Sequence, residues 1–208
     1  LIRNGSRGAF WLETLVEVER DGQRVAYGPV MPEDVEPLVS AGLLRGDAGH
    51  ALYQGETAAI PFLAKQQRLT FSRIGLGDPR SLDHYLALDG FVGLRQALEQ
   101  TPANIVQVVS DSGLRGRGGA AFPAGIKWNT VLEASAEQKY IVCNADEGDS
   151  GTFADRLVME CDPYLLIEGM IIAGLAVGAT QGYIYLRSEY PLAHRILNTA
   201  IKRAYDAG

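Results

Sequence analysis

Residues 140–207 narrow the possible folds more than any other stretch, because two short apolar runs bracket a long apolar segment there. Tyr140-Ile141-Val142-Cys143 is continuously apolar, the pattern of a strand in a parallel sheet covered on both faces. A long apolar helix is expected to run to about Gly178, and Tyr183-Ile184-Tyr185-Leu186 is a second short run. Pro191 then enters an amphipathic helix with Leu192, Ile196, Ala200 and Ile201 on one face. Strand, helix, strand, helix predicts a βαβ unit and an α/β domain. Two strands are too few for an independent sheet of this kind, so the domain is expected to be incomplete in this chain. The uninterrupted apolar run from Gly169 to Ala179 is shorter than the ~20 residues a bilayer span requires. It reads as a buried core helix, not a membrane segment.

Upstream, Leu15 to Glu19 alternates apolar and polar, Asp21-Gly22 is a hairpin turn, and Arg24 to Val30 returns as a second strand. Pro32-Glu33-Asp34 starts a helix, with Pro in the first turn and acids near the positive end of its dipole, and Gly42 is its stop. Residues 44–80 mix signals among several Gly and Pro and read as a linker. Three helices follow: one opened by Ser81, one carrying Phe91, Leu94 and Leu98, and one from Ile105 to Ser112. A fourth is expected from Ala124 to Ala134. The resulting division is 1–43, a 44–80 linker, and 81–208.

Composition excludes several functions. A net charge of -6, without any basic run, argues against a nucleic-acid surface. Cys143 and Cys161 are the only cysteines and match no metal spacing or disulfide framework. An iron–sulfur cluster normally takes four ligands, mostly thiolates, so no conventional cluster and no metal site is expected within this chain. Sparse cysteine and no signal segment after Leu1 suit a reducing compartment such as the cytoplasm.

Two loops carry the chemistry. Gly113-Leu-Arg-Gly-Arg-Gly-Gly-Ala-Ala-Phe-Pro123 cannot be a regular element. Gly116-x-Gly118-x-x-Ala121 fits the dinucleotide fingerprint formally, but that fingerprint should follow a strand, and this one follows a helix. Its glycines still let backbone approach a planar or anionic ligand, Arg115 and Arg117 supply charge for phosphate, and the next helix offers N-terminal amides. Lys127 sits in that helix's first turn, where a cation opposes the dipole. The alternative is a flexible turn with solvated basic groups. Asn144-Ala-Asp-Glu-Gly-Asp-Ser-Gly151 lies at the carboxyl end of a core strand, where ligands of open α/β sheets bind. Its three carboxylates suit a cation, ribose hydroxyls, or a merely solvated turn. His50, His84 and His194 have no triad-like company, and no nucleophile elbow is present.

In order and detail, Ser112 to Trp128 and Val142 to Arg156 resemble the NADH-binding FMN flavoprotein subunit of respiratory complex I and the diaphorases of NAD-reducing hydrogenases and NAD-dependent molybdenum- or tungsten-containing formate dehydrogenases. Asp162-Pro163, Leu166 to Met170 and Tyr183 to Tyr190 extend the likeness, which covers about residues 61–208. The Gly-Asp-Ser-Gly form of the acidic loop resembles the formate dehydrogenase and hydrogenase versions. Asn4 to Leu12 and Tyr27 to Val35 resemble the end of a thioredoxin-like domain, here without cluster cysteines.

The resemblance implies a Rossmann-like FMN-binding domain, incomplete in this chain and preceded by the tail of a thioredoxin-like domain. It implies that Gly116, Arg117, Gly118 and Lys127 cradle FMN, with Asn144 and Asp146 adding hydrogen bonds. Gly119 gives the nicotinamide room, Phe122 stacks on adenine, and Glu147 and Asp149 bind the NAD(H) side. It further implies direct hydride transfer between nicotinamide and flavin with no acid or base residue, and a 4Fe-4S cluster in a part of the subunit not present here. The implied partners are a molybdenum or tungsten iron–sulfur subunit and a small 2Fe-2S thioredoxin-like subunit. Cys161 stands where the family commonly has Gly.

Overall fold

Asp21 and Gly22 both take positive φ, 52° and 78°, and join Val16–Arg20 (β1) to Gln23–Tyr27 (β2) in an antiparallel pair. Paired positive φ matches the twist of the flanking strands. The computed structural model describes residues 1–208, which divide into two compact units.

The smaller unit is Ser6–Ser72. Beyond β2, Pro32–Asp34 makes one 3-10 turn, with the Asp34 carboxylate accepting from the Met31 amide at 2.9 Å. Val35–Ser40 (α1) follows, and Gly42, at φ 93°, ends the segment as expected. Tyr27, Val30, Leu38 and Leu43 are buried together, with Val16, Val18 and Val25 packed on them. The 44–80 segment departs from the linker reading. Tyr53–Glu56 (β3) pairs antiparallel with β2, Pro61–Ala64 (α2) follows, and the unit extends to Ser72. Tyr-Gln-Gly-Glu offers no clear alternation of apolar residues. Backbone pairing to β2, not a hydrophobic stripe, places this strand.

The larger unit is Leu1–Gly5 with Arg73–Gly208. Leu82–Ala87 (α3) is capped by the Ser81 hydroxyl, which accepts from the His84 amide at 3.2 Å. Val92–Leu98 (α4), Pro102–Asp111 (α5) and Ala124–Glu133 (α6) precede Tyr140–Ala145 (β4). The expected single long helix is two. Ala154–Cys161 (α7) stops before Pro163–Val177 (α8), because the residue before a proline is pushed out of helical geometry and Asp162 adopts φ -149°. Gly178, at φ 75°, closes α8. Gln181–Leu186 (β5) pairs parallel with β4, from Tyr140↔Gln181 to Ala145↔Leu186, and Pro191–Ala207 (α9) completes the predicted βαβα order.

Ile141 packs in one cluster with Ala97, Ile105, Val106, Ala176, Val177 and Leu132. Cys143, Ile184 and Leu186 pack in another with Met159, Tyr190, Ala193 and Leu197. The alternate residues Tyr140, Val142, Tyr183 and Tyr185 are exposed. The sheet is therefore covered on one face, not on both as the continuous apolar runs predict.

The third cluster holds Tyr85, Tyr164, Ile167 and Ala200. Beside it, Glu168 is buried and accepts from the Tyr85 hydroxyl and from the amides of Phe91 and Leu94, both at 2.9 Å. Asp162 accepts from Arg73 Nε at 3.0 Å, and the Arg73 guanidinium lies 4.8 Å from the Tyr85 ring centre. Burial raises the Asp162 carboxyl above its ordinary range, and Arg73 offsets part of that. Cys161, unexplained by sequence, lies against the backbone of Gly5, where a Cβ would come within 2.3 Å of its own Cβ.

Candidate functional site

The glycine-rich segment is ordered by its two ends. Gly116 N donates to the Phe122 carbonyl at 2.9 Å, Ala124 N donates to the Leu114 carbonyl at 2.8 Å, and Arg115 bridges to Pro123. The Arg115 guanidinium donates to the Ala121 carbonyl at 3.0 Å, so this arginine braces the loop and is not held out for a ligand. Gly113 and Gly119 take φ of 68° and 47°, and Ala121 takes 46°, a conformation that costs an alanine more than a glycine. A Cβ at Gly118 or Gly119 would meet nothing within 4 Å. Bare backbone at the apex thus faces open space.

The loop delivers the chain into α6, whose N-cap is Pro123, with no side-chain cap. Its first amide, Ala124 N, is taken by the Leu114 carbonyl, and those of Gly125 and Ile126 keep their partial positive charge. Lys127 sits at the end of this first turn, exposed, and Arg117 is exposed on the loop, with no acid paired to either. Phe122 is 50% exposed. Gly125 lets α6 approach α5 closely, since a Cβ there would lie 2.6 Å from Ser110 Cα. Sequence reading passed over this glycine. Its signal was a helix-weakening residue at the second position of an otherwise ordinary helix.

The acidic loop leaves β4 with Ala145 buried. The Asn144 side-chain oxygen accepts from the Asp146 amide at 3.2 Å, which turns the chain. Asp146 is half-buried and Asp149 exposed, and the carboxylates of both are unpaired. Glu147 behaves differently from a side chain presented to a nucleotide. Its carboxylate accepts from the amides of Asp155 and Arg156 at the start of α7, each at 3.0 Å, and from the Tyr190 hydroxyl at 2.9 Å. Its carbonyl accepts from Arg187 at 2.7 Å. Burial, and then the Glu147 carboxylate, push the Asp155 carboxyl up. Burial, followed by Asp155, likewise pushes the Cys143 thiol up. No three His, Cys, Asp or Glu side chains converge as a metal site.

The two loops share one feature of placement. Val131 and Leu132, late in α6, pack in the cluster that holds Ile141, early in β4, and Lys139 Nζ donates to the Leu132 carbonyl at 2.9 Å. The glycine loop enters α6 at its other end, and the acidic loop leaves β4 at its other end.

Bare glycine backbone, a helix start without a side-chain cap, two unpaired cations and an exposed aromatic ring on one loop suit a flat, anionic cofactor. The Nuo51 FMN-binding domain model matches residues 109–208, which contain both loops. This segment, just under half of the chain, is similar to the Nuo51 FMN-binding domain. Among the chain's relatives is the NADP-reducing hydrogenase subunit HndC of Solidesulfovibrio fructosivorans, 53% identical over 73% of this chain and 31% of that protein. An NADH-quinone oxidoreductase subunit of Escherichia coli (strain K12) is 47% identical over 62% of this chain and 30% of that protein. The solved structure of an air-oxidized NAD+-reducing [NiFe]-hydrogenase aligns with a TM-score of 0.52 and 26% identity, over 88% of this chain and 30% of that one. The chain thus spans about a third of the length of the relatives it matches. No helix in it is long and apolar enough to cross a membrane.

Proposed function

We propose that this chain contributes the FMN- and NAD(H)-binding part of a diaphorase subunit in a multi-subunit oxidoreductase. The observation that carries the reading is the open glycine loop at the start of α6, which no side chain caps, with Arg117 and Lys127 unpaired beside it. In this reading Gly116, Arg117, Gly118 and Lys127 hold FMN, and Asn144 and Asp146 add polar contacts from the end of β4. Gly119 leaves room for the nicotinamide, Phe122 offers a ring to adenine, and Asp149 faces the ribose. Glu147 serves the NAD(H) side of the site through the shape of its loop. Bound FMN supplies hydride and single-electron transfer, while the protein supplies binding and orientation. No acid or base side chain is required.

Within that class we read the chain as part of a cytoplasmic NAD-dependent formate dehydrogenase. The Gly148-Asp-Ser-Gly151 sequence and the Asn4–Leu12 and Tyr27–Val35 segments support it. The implied neighbours are a molybdenum or tungsten iron–sulfur subunit and a small 2Fe-2S subunit, with a 4Fe-4S cluster elsewhere in the same flavoprotein. Residues 1–43 then belong to the end of a thioredoxin-like domain. A hydrogenase diaphorase is the second reading, favoured by the 53% identity to a hydrogenase subunit.

The test is the flavin content of Lys127→Ala in the full-length protein. Losing one charge-assisted contact of ~1.5–3 kcal/mol weakens FMN binding by roughly one to two orders of magnitude. Unchanged flavin absorbance per subunit would remove Lys127 from the site. Identification of the copurifying subunits and their metals separates formate from hydrogen as electron donor.

A further inference from the structure

The acidic loop is held from inside by residues that lie far along the chain. Glu147 has a φ of 46°, in the left-handed region that a residue with a Cβ rarely adopts. Its main chain and side chain are both restrained. Arg187, which follows β5, donates from its guanidinium to the Glu147 carbonyl at 2.7 Å, while its amide donates to the Ala145 carbonyl at 3.1 Å. Tyr190, the residue before α9, donates its hydroxyl to Glu147 Oε2 at 2.9 Å, and that same oxygen accepts from the Arg156 amide. Tyr190 is 6% exposed. The Arg156 guanidinium lies 5.7 Å from the Tyr190 ring centre and that of Arg187 lies 5.9 Å away. One residue of the loop is thus tied to the end of β5, the start of α7 and the start of α9. Its neighbours Asp146 and Asp149 keep unpaired carboxylates.

We propose that Tyr190 and Arg187 are positioning residues for the nicotinamide nucleotide: they act through Glu147 to hold the acidic loop in the shape that presents Asp149 outward. The proposal rests on the diaphorase reading above. The tether supplies what a four-residue stretch with three carboxylates lacks. Like charges in a short loop favour an extended, spread arrangement, and turning Glu147 inward onto two amides and a phenol removes one of them from the open side. A preorganised loop binds without a further ordering cost, so loosening it appears in nucleotide affinity. Tyr190→Phe keeps the ring that packs with Met159, Ala193 and Leu197 and removes only the hydroxyl. Arg187→Lys keeps the charge and loses the planar fork.

The experiment uses the full-length flavoprotein, reduced by NADH with an artificial electron acceptor, alongside flavin absorbance and thermal melting. Wild type, Tyr190→Phe, Glu147→Gln and the double variant form a cycle. The expected result for Tyr190→Phe is a KM for NADH raised about tenfold, the equivalent of one hydrogen bond to a charged acceptor, with flavin content and kcat kept. In the double variant KM should be no higher than in Glu147→Gln alone, because Tyr190 acts through that carboxylate. A lowered melting temperature with unmoved KM makes Tyr190 a packing residue and overturns the proposal. Strictly additive effects also overturn it, since the two residues would then act separately. Flavin loss from Tyr190→Phe moves the tether to the FMN side and overturns the nicotinamide assignment. A wild-type protein that holds no FMN and oxidises no NADH refutes the diaphorase reading itself, a result distinct from all of these.

Discussion

Replacing Glu168 by alanine is the most severe single change the structure identifies for the larger unit. This carboxylate is only 8% exposed and accepts from three donors: the Tyr85 hydroxyl, Phe91 N and Leu94 N. The last two are among the unsatisfied amides at the start of α4, whose N-cap Phe91 has no side chain able to accept them. Alanine would strand all three donors and leave a gap beside Tyr85 and Ile167. An unsatisfied buried donor costs about 1–3 kcal/mol, and partial solvent access at the two amides places them at the low end, so the sum is about 3–5 kcal/mol. For a chain of this size each kcal/mol lowers Tm by about 2–4 °C, which gives a fall of roughly 6–20 °C. Glu168→Gln keeps one oxygen for the amides and turns an N–H₂ toward Tyr85, so its cost is about 1–2 kcal/mol. Thermal unfolding followed by circular dichroism on wild type and both variants checks the ranking. Glu168→Ala melting within about 3 °C of wild type, or Gln worse than Ala, would refute the capping argument.

Other outcomes follow from the same geometry. Gly125→Ala drives a methyl into Ser110 and should cost about 1–3 kcal/mol by overpacking, with flavin content falling as α6 moves; calorimetry and flavin absorbance check both. Asp149→Asn should narrow the preference for NADH over NADPH, because an anion beside the extra phosphate repels it, and the ratio of kcat/KM values measures this. Cys143 should resist iodoacetamide at about pH 8 in the folded protein. Burial and Asp155 raise its thiol pKa, so less thiolate is present than in a free cysteine, and rapid labelling seen by mass spectrometry would contradict it.

Periodic features were legible in the sequence. The βαβα order, the hairpin at Asp21-Gly22 and the cap at Ser81 depend on local residue types, and each lies where expected. The irregular glycine loop was also legible, because four glycines and a proline leave no regular alternative. β3 was not, since Tyr53-Gln-Gly-Glu owes its strand to a partner distant in sequence. The break at Asp162 was hidden by the apolar run around it, although Pro163 marked the place. Lys127, Arg117 and Asp149, singled out for charge or local misfit, are exposed. Glu147 shows the limit of such reading. A carboxylate among carboxylates looks available in sequence, yet the amides of Asp155 and Arg156 and the hydroxyl of Tyr190, 43 residues away, hold it inward.

The parallel pairing of β4 and β5 has a consequence for the order in which the chain folds. The β1–β2 hairpin begins with Arg20 against Gln23, so its closure fixes almost no intervening chain. Tyr140 meets Gln181 only after α7 and α8 have been laid down between them. The longer loop costs about 2 kcal/mol more in closure entropy, and non-local contacts of this kind slow folding. The Asp21-Gly22 hairpin therefore closes early and the parallel pair late. Because the acidic loop springs from the end of β4 and is braced by residues just after β5, its shape comes into being only with that late step.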